Sequence, residues 1–406
     1  MYLLVAGVAA CDPPNAGTDS SLPPPLTVSS DVVRSAPRDD APVVELASGF
    51  NGAGFDLWRT QPVDGNLVFS PLSIGHALLM ARAAADDATA QNIDAVFGLP
   101  EGLAAHEGWN AFDHQVAALD GAEEEITIRM ADRIWPHLDV TPDQGWVDLL
   151  ASQHGASVVP LDLQGDGEGS RDTINAWVSE QTMGLVPQLL PKGFIQPTTV
   201  LVLTDAVYFA ARWSTVFGKY GSVMDEFTKL DGSKVPVELM REIELSGPRG
   251  QGEGFIGAEI PYIGDALSML LLVPDEGRFE EIRSKLDPSF LDTVDATFTK
   301  GPYELLMPEW TTHSAVDFLP WLKDHDIAPG HYPKITPGAQ ILGAVHGADI
   351  AVDEWGTVAA AATALGFDES GPETPELTVK ANRPFLYVVR HRASGMIMFA
   401  GQVTEL

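Results

Sequence analysis

Apolar residues recur along this chain in two rhythms. At helical spacing they run through VVELASGFNGAGFDLWRT, residues 43–60, which reads as an amphipathic helix in spite of its glycines. SPLSIGHALLMARAAA places Ser70 as a cap and Pro71 at the first helical position, then continues as helix. SRDTINAWVSEQT offers a second cap-like start at Ser170. The other rhythm is that of strands. TTVLVLTDAVYFAARW is β-branched and apolar with few polar residues, which predicts a strand buried on both faces. ALSMLLLVPD, KANRPFLYVVRH and GMIMFAGQVTEL read as further strands. Strands that come late after early helices, without regular βαβ alternation, point to an α+β fold.

The residues before that first helix follow neither rhythm. MYLLVAGVAAC is a short apolar run that ends in small residues before Cys11, the one cysteine of the chain. Residues 1–11 resemble a bacterial lipoprotein signal, in which such a cysteine becomes lipidated. That implies a lipid anchor at Cys11 and a secreted or cell-envelope location in a bacterium or archaeon. No basic residue precedes the run, so the start of translation is expected upstream of Met1. Residues 12–44 are rich in Pro, Ser and Asp and read as a disordered tether. Residues 45–406 stay globular in composition, with no internal repeat and no second linker, so a single domain is expected. No other stretch approaches the ~20 apolar residues of a membrane span.

Charge narrows the function. With 24 Lys and Arg against 57 Asp and Glu, the net charge is −33. This argues against nucleic acid and against electrostatic docking on anionic lipid. One cysteine allows no internal disulfide. Catalytic motifs are missing: there is no G-x-S-x-G, no H-E-x-x-H, no phosphate-binding loop and no S-x-x-K with its partners. His106 and Glu107 have no second histidine in register. DLQGDGEGSRD, residues 162–172, is acidic and glycine-rich, but the sixth position counted from Asp166 is Arg171, so a calcium loop is not expected. It reads as a flexible loop. An enzyme is the weaker class, and no cofactor or metal is expected.

DEWGTVAAAATALGFDESG, residues 353–371, is the least ordinary stretch. From Trp355 to Phe367 it holds no charge and no proline, and most of its side chains are small. Several signature-like segments lie around it. NLVFSPLSIGHALLMARAAADDAT, INAWVSEQTMGLVPQLLP, VLVLTDAVYFAARWSTVF, IPYIGDALSMLLLVPD and VHGADIAVDEWGTVAAAATA with NRPFLYVVRHRASGMIMFAGQV resemble, in order, the successive segments of the serpin family. The resemblance spans residues 45–406. It implies three β-sheets, eight or nine helices and an exposed reactive loop, here about residues 354–380.

The resemblance also implies roles. Glu354 and Gly356 match the hinge glutamate and glycine of the loop, followed by Thr357, Ala359, Ala361 and Thr363 on one strand face. Trp355 and Val358 depart from the polar or acidic residues common there. Ser70, Ser73 and His346 match a polar cluster under the main sheet, with Asp205 where the family usually has asparagine, so an Asp205–His346 ion pair is expected. Trp213 matches the tryptophan at the top of that sheet. The family's inhibitors trap a serine protease as an acyl-enzyme when the cleaved loop enters the main sheet. Such an inhibitor uses no cofactor and is consumed one for one, and here a monomer is expected. The cleaved bond usually follows the seventeenth residue counted from the hinge glutamate, which makes it Ser370–Gly371, with Phe367, Asp368 and Glu369 as fallbacks. No Lys or Arg lies between Glu354 and Val379, and Phe367 precedes small Ser370, a pairing that suits a subtilisin-like or elastase-like protease. LPEGLAAHEGWNAFDHQ lacks the basic residues of a heparin-type patch. A non-inhibitory carrier or chaperone is the alternative.

Overall fold

The computed structural model describes residues 32–120, 126–184, 187–218, 220–357 and 374–406, without the side chains of 129–132 and 205–208. The first half is mainly helical: α1 (Val43–Thr60), β1 (Leu67–Phe69), α2 (Pro71–Ala84), α3 (Asp87–Phe97), α4 (Ala104–Ala117), β2 (Ile126–Pro136), α5 (Gln144–His154), β3 (Ser157–Val158) and α6 (Gly167–Gln181). Strands then dominate: β4 (Leu201–Arg212), β5 (Ser222–Thr228), β6 (Lys234–Gly252), β7 (Phe255–Pro261) and β8 (Leu267–Pro274). After α7 (Phe279–Lys285) and α8 (Pro288–Thr297) come β9 (Thr299–Pro308), β10 (Trp310–Asp317), α9 (Leu319–Asp324), β11 (Val345–Val352), β12 (Gly356–Thr357), β13 (Leu377–Lys380), β14 (Phe385–His391) and β15 (Ile397–Val403).

Local chemistry explains the helix boundaries. Ser70 caps α2, its side chain accepting from the Ser73 N–H, with Pro71 in the first turn. The glycines that weaken the helical pattern of α1 and α2 sit where helices touch. A Cβ on Gly54 would come within 2.6 Å of Pro71, and one on Gly75 within 2.4 Å of the Phe50 ring. The cap expected at Ser170 is instead Asp166, whose side chain accepts from the Gly169 N–H. Asp caps a helix as well as Ser does and lies one turn upstream. Ser170 is buried inside α6. The second half of the expected flexible loop is therefore the first turn of a helix, and among the described residues no cluster of His, Cys, Asp or Glu could hold a metal ion.

The strands form a six-stranded sheet in the order β10-β11-β12-β4-β2-β3 and a nine-stranded one, β1-β15-β14-β8-β7-β6-β9-β13 with β5 on β6. The long β6 serves two groups. Its first half pairs with β5, and its end pairs with β7. The chain thus has three sheets in an α+β fold. The core lies between the six-stranded sheet, α1, α2 and the β7-β8-β14-β15 layer. Among its described side chains, β4 packs on both faces. Phe209 and Ala211 join the main core, while Val202 packs with Trp135 against Ile174 and Val178 of α6.

Part of the expected tether lies against the body. The Arg34 guanidinium pairs with Asp113 and donates to Asn110 Oδ1 (3.0 Å), and the Ser35 N–H donates to the Ser152 carbonyl (2.8 Å). Cys11 and residues 12–31 fall outside the described residues.

Candidate functional site

Two polar clusters mark the six-stranded sheet. One lies beneath its middle. The backbone N–H of Ser70 donates to His346 Nε2 at 2.9 Å, and the N–H of Ser73 donates to Ser70 Oγ at 3.0 Å. Ser70, Ser73 and His346 are all buried. An imidazole nitrogen that accepts an N–H bond carries no proton, so the proton of His346 sits on Nδ1 in its neutral form. The structure therefore brings these three residues together. Asp205 pairs through its backbone with Asp132 of β2, but its side chain, and with it the expected ion pair, lies outside the described residues. Ser314 is a neighbour that sequence reasoning missed: its Oγ accepts from the Val68 N–H at 3.0 Å.

At the top of the sheet the chain reverses between β11 and β12. Asp353 Oδ1 accepts from the N–H groups of Trp355 (2.8 Å) and Gly356 (3.1 Å), and the Asp353 N–H donates to the Gly356 carbonyl (3.0 Å). An aspartate side chain that bonds the backbone two and three residues on makes such a reversal stable. The result seats the hinge between two strands. Gly356 pairs with Arg212 and Thr357 with Ala211 on β4, while Thr357 pairs with Val352 on β11. Only glycine fits at 356, because a Cβ there would lie 2.1 Å from the Ala211 carbonyl oxygen.

Thr357 points inward. It is 1% exposed, and its Oγ1 shares a 2.6 Å hydrogen bond with Tyr262 Oη. Burial pushes the Tyr262 phenol far above its ordinary pKa, so the hydroxyl stays protonated. Tyr262 stacks on Trp213 with ring centroids 4.5 Å apart. Trp213 is fully buried and holds the turn from below: Nε1 donates to the Asp353 carbonyl (3.0 Å), and its backbone N–H donates to the Trp355 carbonyl (2.8 Å). The Phe217 N–H donates to the Glu354 carbonyl at 2.9 Å. Trp213, Glu354, Gly356 and Thr357 thus share one constellation. Tyr262 and Asp353 complete it. The D-x-W-G turn signal marks Asp353, whereas nothing local marks Tyr262.

Beyond the loop, β13 runs parallel to β9. Glu376 leads into it, paired with the Arg249 guanidinium, and the Glu376 N–H donates to the Pro302 carbonyl at 3.1 Å. Ala359, Ala361, Thr363, Phe367, Asp368, Glu369, Ser370 and Gly371 all lie in 358–373, outside the described residues.

With this geometry in hand, comparison with known proteins decides the family. A family model described as Serpin (serine protease inhibitor) matches residues 51–406. The chain belongs to the serpin family. A serine proteinase inhibitor 2.4 from Apodemus sylvaticus is 30% identical over 377 residues, covering 89% of this serpin and 88% of the relative. An uncharacterized serpin-like protein from Methanosarcina acetivorans is 27% identical over 376 residues, 90% of this serpin and 87% of the relative. In structure it resembles the native state of the thermophilic serpin tengpin, with TM-score 0.80, 23% identity, and 93% and 98% of the two chains covered.

Proposed function

We propose that this serpin is a suicide-substrate inhibitor of a serine protease. The observation that carries the reading is the seated hinge. Gly356 and Thr357 already occupy the position of a strand between β4 and β11. The residues that follow, Val358 to Gly366, are small or uncharged and contain no proline. Such a segment can extend the ladder. A charge facing the core would cost several kcal/mol unpaired, and a proline would remove a ladder bond. The protease serine attacks the loop, the acyl-enzyme forms and the peptide bond breaks. The freed segment then adds as a strand and carries the bound protease with it before water can release it. The serpin supplies no nucleophile and needs no cofactor.

The cleaved bond is Ser370–Gly371, the target is subtilisin-like or elastase-like, and the inhibitor acts as a monomer without a heparin-type cofactor. Cys11 anchors it by lipid to a cell envelope. The test is incubation with subtilisin, elastase, chymotrypsin and trypsin, followed by denaturing gels and the mass of the released C-terminal fragment. A covalent complex with subtilisin or elastase and a fragment starting at Gly371 is expected. Turnover of the loop by every protease with no complex would refute inhibition, and a complex with trypsin alone would refute the specificity.

A further inference from the structure

Three histidines from three helices meet inside the body. His76 Nε2 of α2 lies 2.7 Å from His154 Nδ1 of α5, and His154 Nε2 lies 2.8 Å from His106 Nδ1 of α4. All three are enclosed, His76 at 0% exposure and His106 and His154 at 2%, and Trp109 stacks flat on His76 with centroids 3.5 Å apart. One residue before His154 and one turn after His106, α5 and α4 make a seat for the segment that precedes α1. Asn110 and Asp113 of α4 hold the Arg34 guanidinium, and Asn110 Nδ2 donates to the Ser35 carbonyl at 3.1 Å. From the end of α5, the Ser152 carbonyl accepts from the Ser35 N–H, and Gln153 Nε2 donates to Ser35 Oγ at 3.1 Å. Gly155 leaves room for Arg34, since a Cβ there would lie 2.9 Å from Nη1. The His154–His106 contact thus ties together the two helices that share the seat.

We propose that the His76–His154–His106 chain is an acid-operated clasp for this N-terminal arm: neutral, it holds α5 against α4 and α2 and keeps the arm docked; taking up protons, it frees α5 and lets the arm go. Three neutral imidazoles bring three ring protons, one for each N···N contact and one for an end of the chain, so the neutral chain is satisfied. A fourth proton still fits, one at each end, with its charge against the Trp109 face. A fifth would place two protons in a contact of 2.7 or 2.8 Å, and that contact must break. Breaking either one frees α5, which carries half of the seat. The surroundings favour this in acid. Arg82 of α2 and Lys334 from the segment before β11 act on His106, and Arg34 of the arm acts on His154, all with positive charge. The carboxylates of these elements are committed to cations: Asp94 of α3 to Arg82, Asp113 to Arg34 and Glu107 of α4 to Arg38. Burial first, then these cations and the neighbouring imidazoles, bring His106 from an ordinary 6.5 to about 3 and hold His154 well below 6.5. A freed imidazole ionises near 6.5. The docked state is therefore fully favoured above about pH 6.5 and loses stability as pH falls from there toward 3. Undocking residues 33–38 adds up to about 20 Å of extended chain between the body and what precedes it.

The clasp stands apart from the inhibitory reading and from the lipid anchor, and its test needs neither. The Ser35 amide, bonded to Ser152 in the docked arm, reports release through its hydrogen exchange. Exchange in the full-length protein is read by mass spectrometry at pH 7.5 and pH 4.5, in wild type and in His106→Asn, whose amide meets His154 without titrating. Comparing the two proteins at one pH cancels the intrinsic pH dependence of exchange. Their ratio at pH 7.5 is the baseline. At pH 4.5 wild type should exchange about a hundredfold faster relative to that baseline, the factor that two pH units below 6.5 give a histidine held near 3. A ratio that stays at the baseline overturns the clasp. So does release of Ser35 together with the amides of β14, central in the larger sheet, since that is unfolding of the whole body. Should His106→Asn not fold, Arg34→Gln gives the reciprocal measurement. A loosened arm must let the buried imidazoles take up protons at higher pH than in wild type, which their NMR titration follows, and an unchanged titration overturns the clasp equally.

Discussion

Thr357→Arg should turn the inhibitor into a substrate. The wild-type side chain is 1% exposed and bonded to Tyr262 Oη at 2.6 Å, over the Tyr262–Trp213 stack. Arginine cannot occupy that space. Forcing its charge inside would cost about 3–5 kcal/mol without a partner, and the lost bond to a buried phenol adds about 1–2 kcal/mol. Against this stand the hinge's own backbone bonds at about 1 kcal/mol each, among them those from Trp213, Phe217 and Asp353. The terms are comparable, so the variant expels β12 and leaves the body folded. Strand addition after cleavage meets the same cost. A barrier raised by about 4 kcal/mol slows it about a thousandfold, which hands the acyl-enzyme to hydrolysis. Thr357→Val is the control, since it removes the hydroxyl at nearly the same volume and should keep most of the trapping. The assay is the ratio of covalent complex to cleaved serpin on denaturing gels at several inhibitor-to-protease ratios. Trapping by Thr357→Arg at wild-type efficiency would refute the seating argument.

Three other outcomes can be measured. Cutting the loop near Ser370 should raise the melting temperature by tens of degrees, because a whole strand then joins the sheet; an unchanged melting curve argues against insertion. Acid should destabilise the body through the buried chain His76–His154–His106, linked at 2.7 and 2.8 Å. Burial and then the positive charges of Arg82, His76 and Lys334 lower the His106 pKa from 6.5 to about 3, so its contribution is present above pH 6.5 and lost as pH falls toward 3. Between pH 7 and pH 4.5 that amounts to about 2–3 kcal/mol in urea unfolding, and His106→Asn should flatten the slope. Cys11→Ser should move the full-length protein from the membrane fraction to the soluble one; equal partition would remove the lipid anchor.

Local rules made much of this architecture legible. Ser70 and Pro71 announce α2, and the apolar run Met269 to Val273 of β8, in a strand buried at every position, announces a central strand. They failed where a nearer competitor existed, as when Asp166 took the cap from Ser170. They were silent on β6, whose Pro236 and Pro248 argue against a strand by composition, although the structure pairs them with Glu226 and Lys300. The hinge residues were readable only by resemblance. Their physics rests on contacts far apart in sequence. Thr357 needs Tyr262, and Trp213 needs Asp353. No periodicity carries such information.

The two ends of the loop are held differently, and on the proposed mechanism that difference should set how long the uncut form lasts. The leading end is seated in the six-stranded sheet through β12, while the trailing end is pinned in the other sheet through β13. For an intact loop to extend its ladder along β4 and β11, the chain must run down the sheet and return, which requires β13 to leave β9. On the proposed mechanism, the lifetime of the uncut form should then be set by a barrier and not by an equilibrium. Glu376 is the exposed half of the pin, bonded to Arg249, whose side chain is 8% exposed. Glu376→Ala removes that bond and leaves a shielded guanidinium with less to hold it; for a pair half in water the loss is about 1 kcal/mol. A barrier lowered by that amount shortens the lifetime about fivefold. The measurement is the decline of protease trapping during incubation at a fixed temperature below melting, with mass spectrometry to show the chain uncut. A half-life equal to that of the wild type would mean that β13 is held by its backbone ladder alone.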